Sequence, residues 1–227
     1  MKRVYKIFVF IGLIFLLSSN RQAVYPVVEQ QSFQPGEELT YRVSFGFIGI
    51  GDARMVIDER IRNINDRPVY KVDVYGKTTG MVDWVAQVDD HWGSYVDTAA
   101  LLPHISYRNI REGNYRKNEI SSFDHNSGRI ETKTLDQETG RYKPPKIFES
   151  KLEQVRDMLS GYLYLRSVDF SRMNPGDHIQ VNGFLEDKFY PMKLVFDGYE
   201  KIRTKAGKFR AIRLIPIMPE DGIFDGK

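Results

Sequence analysis

The chain contains no cysteine among its 227 residues. This absence excludes disulfide bonds, thiolate nucleophiles, zinc sites with cysteine ligands and iron–sulfur clusters. It also excludes a lipidated cysteine as a membrane anchor. The domain must therefore be stabilised by its apolar core alone, and a chain of this length with 13% aromatic residues can form such a core.

Residues that could carry catalysis or bind a metal are also scarce. No GxSxG, SxxK or HExxH motif occurs. The four histidines are His91, His104, His125 and His178. None has the i, i+2 or i, i+4 spacing that would direct two imidazoles at one metal ion. We therefore expect no catalytic residues, no metal and no cofactor, and favour a non-enzymatic protein; a triad assembled from distant residues is the alternative.

One local cluster, Asp89-Asp90-His91, contains oxygen and nitrogen atoms that could bind a cation. A hard cation needs more ligands than three neighbouring side chains can direct at one point. We therefore interpret this cluster as the polar end of a strand.

The chain has little excess charge of either sign. It contains 33 Lys and Arg against 30 Asp and Glu, a net charge of +3. Three of these cations, Lys2, Arg3 and Lys6, lie at the N-terminus, and without them the two signs balance. Such a balance argues against a nucleic-acid partner.

The N-terminus has the pattern of a secretory signal peptide. Its three cations precede an apolar run at residues 7–17, and polar residues follow. The run has about half the length that a membrane-spanning helix needs. We interpret residues 1–23 as the signal peptide and residues 24–227 as a single exported domain in the periplasm or cell envelope. An uncleaved membrane anchor is the alternative.

Most of the remaining chain has the two-residue period of β-strands. Residues 39–47 alternate strictly, with Leu39, Tyr41, Val43, Phe45 and Phe47 on one side. Similar short segments follow, separated by turn signals, and Asp197-Gly198 predicts a two-residue hairpin turn. The predicted fold is mainly β: a curved antiparallel sheet, or an open β-barrel or half-barrel.

One segment has helical spacing instead. Ser150 and Glu153 form a capping box, and apolar residues continue at helical intervals to Tyr162. This pattern predicts one amphipathic helix of about four turns, beginning at Ser150.

The C-terminus ends on turn signals without a returning strand. Residues 218–227 contain Asp-Gly twice and then stop. Because proteins usually avoid a bare sheet edge, we expect the domain to be truncated here, as a fragment of a longer product. A natural terminus that frays is the alternative.

Aromatic residues give the strongest indication of a binding surface. Most of them are expected to be core, but several share strand faces and could line a cavity for an apolar ligand. The candidate ligand-binding residues are Tyr41, Phe45, Phe47, Tyr190 and Phe196.

Several motifs resemble a known family. Phe33-Gln-Pro-Gly-Glu-Glu-Leu-Thr-Tyr41 followed by Gly46-Phe-Ile-Gly-Ile-Gly-Asp52 is similar to the opening of the DUF3108 family of bacterial exported proteins. Weaker matches at Asp157-Met-Leu-Ser160 and Lys205-Ala-Gly-Lys-Phe209 follow in the expected order. The resemblance implies a periplasmic or envelope protein with a large curved antiparallel sheet. The family is a domain of unknown function, so it implies no catalytic residues.

These observations lead to a ranked expectation of function. The first hypothesis is non-catalytic binding of an apolar or amphiphilic ligand, such as a lipid or a lipoprotein acyl chain, in the curved sheet. The second is a protein–protein adaptor in envelope assembly that uses a sheet edge or surface aromatics such as Trp92 and Tyr95. A hydrolase ranks third and would need a histidine beside a carboxylate or serine in a cleft. A cavity on the order of several hundred Å³ inside the sheet would favour the first hypothesis.

Overall fold

The computed structural model describes residues 25–84 and 86–217. The predicted signal peptide, residues 1–23, and the C-terminal segment, residues 218–227, lie outside the described residues. The described residues contain twelve strands, one α-helix and two short 3-10 helices, Gly80–Trp84 and Phe170–Arg172.

The strands fall into a large sheet and a small sheet, with the helix between them along the chain. The large sheet contains β1 (Glu38–Phe45), β2 (Ile48–Ile57), β3 (Arg62–Ile64), β4 (Arg67–Thr78), β5 (Asp89–Asp97), β6 (Pro103–Glu112), β7 (Tyr115–Asp124), β8 (Arg129–Thr134) and β9 (Lys146–Glu149). Helix α1 spans Met158–Ser167. The small sheet contains β10 (His178–Leu185), β11 (Lys188–Thr204) and β12 (Gly207–Ile217).

Both sheets are antiparallel meanders. The large sheet has the order β1-β2-β4-β5-β6-β7-β8-β9, and the short β3 pairs with the start of β4. The small sheet has the order β10-β11-β12. Neither sheet closes into a barrel. The predicted fold class, a mainly β protein with open antiparallel sheets and one helix, is confirmed.

The large sheet has an inner face, which contacts α1, and an outer face. On β4, Tyr70 and Val72 are buried against α1, whereas Lys71 and Asp73 lie on the outer face. This alternation follows from the strand geometry, in which successive side chains project to opposite sides.

Helix α1 packs against both sheets at once. Leu159 and Leu163 contact the inner face of the large sheet, in a core that includes Ile57 and Val72. Leu165, on another side of the helix, packs against the core of the small sheet. The two sheets are therefore joined through one helix.

The helix begins later than predicted. The structure places its N-cap at Asp157, whose Oδ1 accepts the backbone N–H of Ser160 at 2.7 Å. Ser150 does not cap a helix, because its hydroxyl accepts the N–H of Leu152 at 2.9 Å. The chain up to Arg156 is instead held beside β10, since the N–H of Arg156 donates to the carbonyl of Asn182 at 2.8 Å. Tertiary hydrogen bonds thus override the local capping pattern.

The predicted turn at Asp197-Gly198 is also wrong. Strand β11 continues through these two residues to Thr204, and the hairpin turn follows at Lys205. The register shifts between Phe196 and Tyr199, where two residues of β11 lie opposite one residue of β12. Gly198 has φ +95°, which suits a bulge as well as it suits a turn. The Asp-Gly signal therefore marks a β-bulge.

Among the described residues, no helix has the length and apolar character required to cross a membrane.

The packing predicts that Leu163 contributes strongly to stability. Its side chain is fully buried between the sheets, so Leu163→Ala should lower the free energy of unfolding by about 2–5 kcal/mol. Met158 on the same helix is 51% exposed, so Met158→Ala should change the free energy of unfolding by less than about 0.5 kcal/mol. Urea denaturation of both variants measures the difference. Equal effects would show that α1 is not the shared core element.

Candidate ligand-binding site

A pocket of about 700 Å³ lies beside the turn between β7 and β8. Its apolar wall consists of Leu102, Phe123, Ile130, Leu152 and Val155. Polar side chains of both charge signs surround this wall: Asp124, Asn126, Ser127, Arg129, Lys151 and Glu153. The site thus combines an apolar surface with a mixed polar rim. We call it the histidine pocket, because His125 also lines it.

The turn is held in place by local hydrogen bonds. Asp124 Oδ1 accepts the N–H of Asn126 at 2.9 Å, and Asp124 Oδ2 accepts the hydroxyl of Ser127 at 2.7 Å. These hydrogen bonds lower the pKa of the Asp124 carboxyl. Gly128 has φ +71°, and a Cβ there would lie 2.6 Å from the carbonyl oxygen of Ser150. Only glycine therefore allows the turn to approach the loop at residues 150–155 so closely.

Tyr25 and His125 line this pocket, and the buried His104 packs against both of their rings. The ring of Tyr25 stacks on His104 at 5.9 Å between centroids and meets His125 edge to face at 5.8 Å. The Nε2 atom of His125 lies 2.7 Å from the carbonyl oxygen of Pro103, which it can reach only as a donor. Burial lowers the pKa of His125, so the ring is neutral at neutral pH.

A buried carboxylate supports this aromatic cluster from behind. Asp97 is fully buried and accepts hydrogen bonds from Arg67 and from the backbone N–H of Ala100 at 2.7 Å. Its Oδ2 also lies 3.4 Å from His104 Nε2. Burial alone would raise the pKa of Asp97, but the hydrogen bonds from His104, Arg67 and the backbone outweigh it and hold the pKa well below its usual range. The ionised carboxylate thereby orients both Arg67 and His104.

Arg67 and His104 connect that carboxylate to the aromatic cluster. The guanidinium of Arg67 lies over the Tyr25 ring, 3.9 Å from its centroid, as a cation–π contact. The Nδ1 atom of His104 is buried and has no hydrogen-bond partner among the described residues. A buried polar atom without a partner is unusual in a folded protein.

Sequence reasoning missed this histidine pair. The spacing of His104 and His125 along the chain indicates nothing, yet their ring centroids lie 6.5 Å apart. The signal that could have found them is the strand pairing. His104 lies at the start of β6 and His125 directly follows β7, and antiparallel neighbours bring those two ends together.

The five candidate residues from the aromatic pattern do not form one cluster. Tyr41 reaches α1, where its hydroxyl lies 3.1 Å from that of Tyr162. Phe45 and Phe47, at the turn between β1 and β2, are 80% and 99% exposed. Tyr190 and Phe196 are buried, and Phe196 packs in the core of the small sheet. Their part in ligand binding stays a prediction.

The interior between the sheets offers little space. The cavity found there, lined by residues such as Ser106, Ser121 and Asp157, has a volume of about 40 Å³. It would hold roughly three water molecules. A lipid chain does not fit it, so the expected cavity inside the sheet is replaced by the histidine pocket at its end.

A second histidine–carboxylate pair lies on the outer face of the large sheet. His91 Nε2 is 2.7 Å from Asp73 Oδ1, which also accepts the Tyr107 hydroxyl at 2.5 Å. Lys71 donates to the other carboxylate oxygen at 2.6 Å. His91 therefore turns away from its sequence neighbour Asp90, which accepts the backbone N–H of Arg111 instead. Among the described residues, no group of three or more side chains has the geometry of a metal site.

The comparisons with known proteins identify a family. The model of a protein family of unknown function, DUF3108, matches residues 40–227. The chain belongs to this family. The match covers both sheets, α1 and all of the histidine pocket except Tyr25. No curated protein and no solved structure matches the chain. DUF3108 membership therefore brings no assigned activity to the site.

The lowered pKa of His125 makes stability dependent on pH. Between this lowered pKa and the unfolded value of about 6.5, the unfolded chain binds a proton that the folded chain does not. The free energy of unfolding should therefore fall as pH drops below about 6.5, by up to about 1.4 kcal/mol per pH unit. His125→Gln should flatten this slope in urea titrations at a series of pH values.

The control for this titration is His178→Gln, at the exposed first position of β10. In this variant the free energy of unfolding should depend on pH as it does in the unmodified chain. An identical slope in the His125 variant would show that His125 is not buried as a neutral group.

Proposed function

We propose that this protein is an exported binding protein that holds a small amphiphilic ligand in the histidine pocket. The observation that carries the proposal is the pocket itself, whose volume of about 700 Å³ falls within the range of small-molecule sites. Export is supported by the signal-peptide pattern of residues 1–23.

The lining of the pocket favours an amphiphile over a purely polar or purely apolar ligand. Phe123, Ile130 and Val155 are buried side chains that offer an apolar contact surface. Arg129, Lys151 and Glu153 lie on the rim, where a polar head group would be exposed to water. A ligand with an apolar tail against the apolar wall and a polar head group at the rim would match both surfaces of the pocket.

The histidines suit binding better than catalysis. The Nε2 atoms of His104 and His125 are engaged by Asp97 and by the Pro103 carbonyl. These contacts hold His125 in the lining of the pocket and His104 buried next to it. Neither ring has a hydroxyl nucleophile among its hydrogen-bond partners in the described residues, so we propose reversible ligand binding.

A second candidate function rests on the turn between β1 and β2. Phe47 is 99% exposed and Phe45 is 80% exposed. Two adjacent aromatic side chains in water are typical of a protein contact. An adaptor would use this turn, and it would not need the histidine pocket.

The pocket is tested by placing a large side chain on its rim. Lys151 is exposed and lines the pocket, so Lys151→Trp should obstruct it without disturbing the core. Binding of a dansyl-labelled fatty acid, followed by its fluorescence, should weaken by about tenfold or more, which corresponds to ~1.4 kcal/mol. Glu138→Trp, in the exposed loop between β8 and β9, adds the same side chain outside the pocket and should leave the affinity unchanged.

Two results would contradict the proposal. One is saturable binding that Lys151→Trp leaves unaffected, which would place the ligand elsewhere. The other is the absence of any binding, together with no co-purified lipid in mass spectrometry of the protein from its native cells. Loss of a co-purified protein on Phe47→Ser would then favour the adaptor.

A further inference from the structure

The distal part of the hairpin formed by β11 and β12 concentrates positive charge. Residues 201–210 contain five Lys or Arg and no Asp or Glu. The other described residues contain 23 Lys or Arg against 27 Asp or Glu. A nearly neutral chain is thus divided into an acidic body and a basic tip, and we call residues 201–210 the basic tip.

Like charges oppose each other directly across the two strands of the basic tip. Lys201 pairs with Arg210 and Arg203 pairs with Lys208 in the register of β11 and β12. Directly opposed residues lie on the same face of a hairpin, and like charges there destabilise it. None of these four cations has an acidic partner within 4.0 Å among the described residues. Among the described residues, no acidic side chain therefore offsets the repulsion between these cations.

The next cation along β12, toward the body of the protein, does have acidic partners. Arg213 on β12 lies 2.6 Å from Asp197 and 3.6 Å from Glu200. The same hairpin therefore supplies carboxylates to a cation near the body and none to the cations of its tip. Charge repulsion is confined to the part that extends furthest along the hairpin.

The opposite face of the basic tip is apolar. Ile202 and Phe209 form a cross-strand pair there, and they are 38% and 49% exposed. The tip is therefore amphipathic, with long cationic side chains on one face and apolar side chains on the other. Elements of this kind bind at the interface of anionic membranes, where apolar groups enter the lipid and cations approach the head groups.

We propose that the basic tip docks the protein on the surface of an anionic lipid bilayer. Nearby anionic head groups would relieve the repulsion between the opposed cations, and Ile202 and Phe209 would enter the interfacial region. This inference stands on the hairpin alone and is independent of the histidine pocket.

The geometry favours a bilayer over a nucleic acid. Single-stranded nucleic acids bind where aromatic rings lie among cations and stack on bases. Tyr199, on the same face as the cations, is covered by the guanidinium of Arg210 at 3.7 Å from its ring centroid. Phe209 lies on the opposite face. Among the described residues, the aromatic ring that lies beside the cations of the tip is thus already stacked on a guanidinium, although Tyr199 is 41% exposed.

A single introduced cysteine provides a local readout, because the chain has none of its own. Ala206, in the exposed turn between β11 and β12, is changed to cysteine and labelled with the environment-sensitive dye NBD. Phosphatidylglycerol–phosphatidylcholine vesicles should raise and blue-shift the emission, and pure phosphatidylcholine vesicles should not. All samples contain the same apolar segment at residues 7–17, so this segment cannot cause a difference between them. A second NBD label at Glu138→Cys, outside the tip, should show no change in emission with either kind of vesicle.

Charge removal tests whether the cations cause the docking. Arg203→Gln with Lys208→Gln should weaken binding to anionic vesicles by about 25-fold, since each cation near such a surface contributes about fivefold. The same pair of changes removes one like-charge contact, so the midpoint of urea unfolding should rise or stay constant. Arg60→Gln with Lys188→Gln removes two exposed cations outside the tip and should alter vesicle binding by less than about twofold.

Several outcomes would overturn the proposal. The first is no emission change with anionic vesicles at low salt. The second is a change that persists fully at about 0.5 M salt, where exposed charges are screened. The third is equal loss of vesicle binding in both double variants, which would show a general charge effect. Tighter binding of the tip label to single-stranded DNA or heparin than to vesicles would assign it to a polyanion instead.

Discussion

The burial of α1 between two sheets is the interaction on which the rest of the structure depends. The inner face of the nine-stranded sheet must be covered, and the three-stranded sheet buries its apolar residues against the same helix. Leu163 and Leu165 project from one helix into both cores and so make the two sheets a single folding unit. The segment before the helix is also fixed by this arrangement, because Arg156 bonds to β10. That segment forms one side of the histidine pocket.

Much of the fold could be predicted from the sequence. The alternation from Leu39 to Phe45 correctly indicates a strand, but Tyr41, Val43 and Phe45 are exposed, so the apolar side of this strand is not buried in the core. The helix start could not be predicted, because Ser150 and Arg156 find partners on other elements. The Asp197-Gly198 pair was ambiguous for a related reason: a turn and a bulge require similar backbone geometry. Local patterns failed where tertiary hydrogen bonds decided the conformation.

The candidate site could not be predicted from residue types alone. Aromatic residues were the visible signal, but Phe196 is core and Phe47 is almost fully exposed, so side-chain type did not indicate location. The aromatic cluster at the histidine pocket contains His125, which lines the pocket, and the buried His104; they are 21 positions apart and meet only through the pairing of β6 and β7. The pocket also depends on Gly128, whose missing side chain lets the turn close against the loop. The meeting of the two histidines and the close approach of the turn to the loop both depend on how the strands align. Amino-acid composition carries no information about that alignment.

The opposed cations of the β11–β12 hairpin have a consequence for self-association. Strand β12 is the outer strand of the small sheet in the described residues, and it exposes Ile212, Ile215 and Ile217. A long apolar edge of this kind invites pairing with a second copy of itself, which is the first step of aggregation. A parallel copy aligned in register on this strand would place Lys208 and Arg210 beside the same cations again, and Pro216 offers no N–H to the ladder. The charges that oppose each other within the hairpin thus also disfavour extension of the sheet by a second molecule in that alignment.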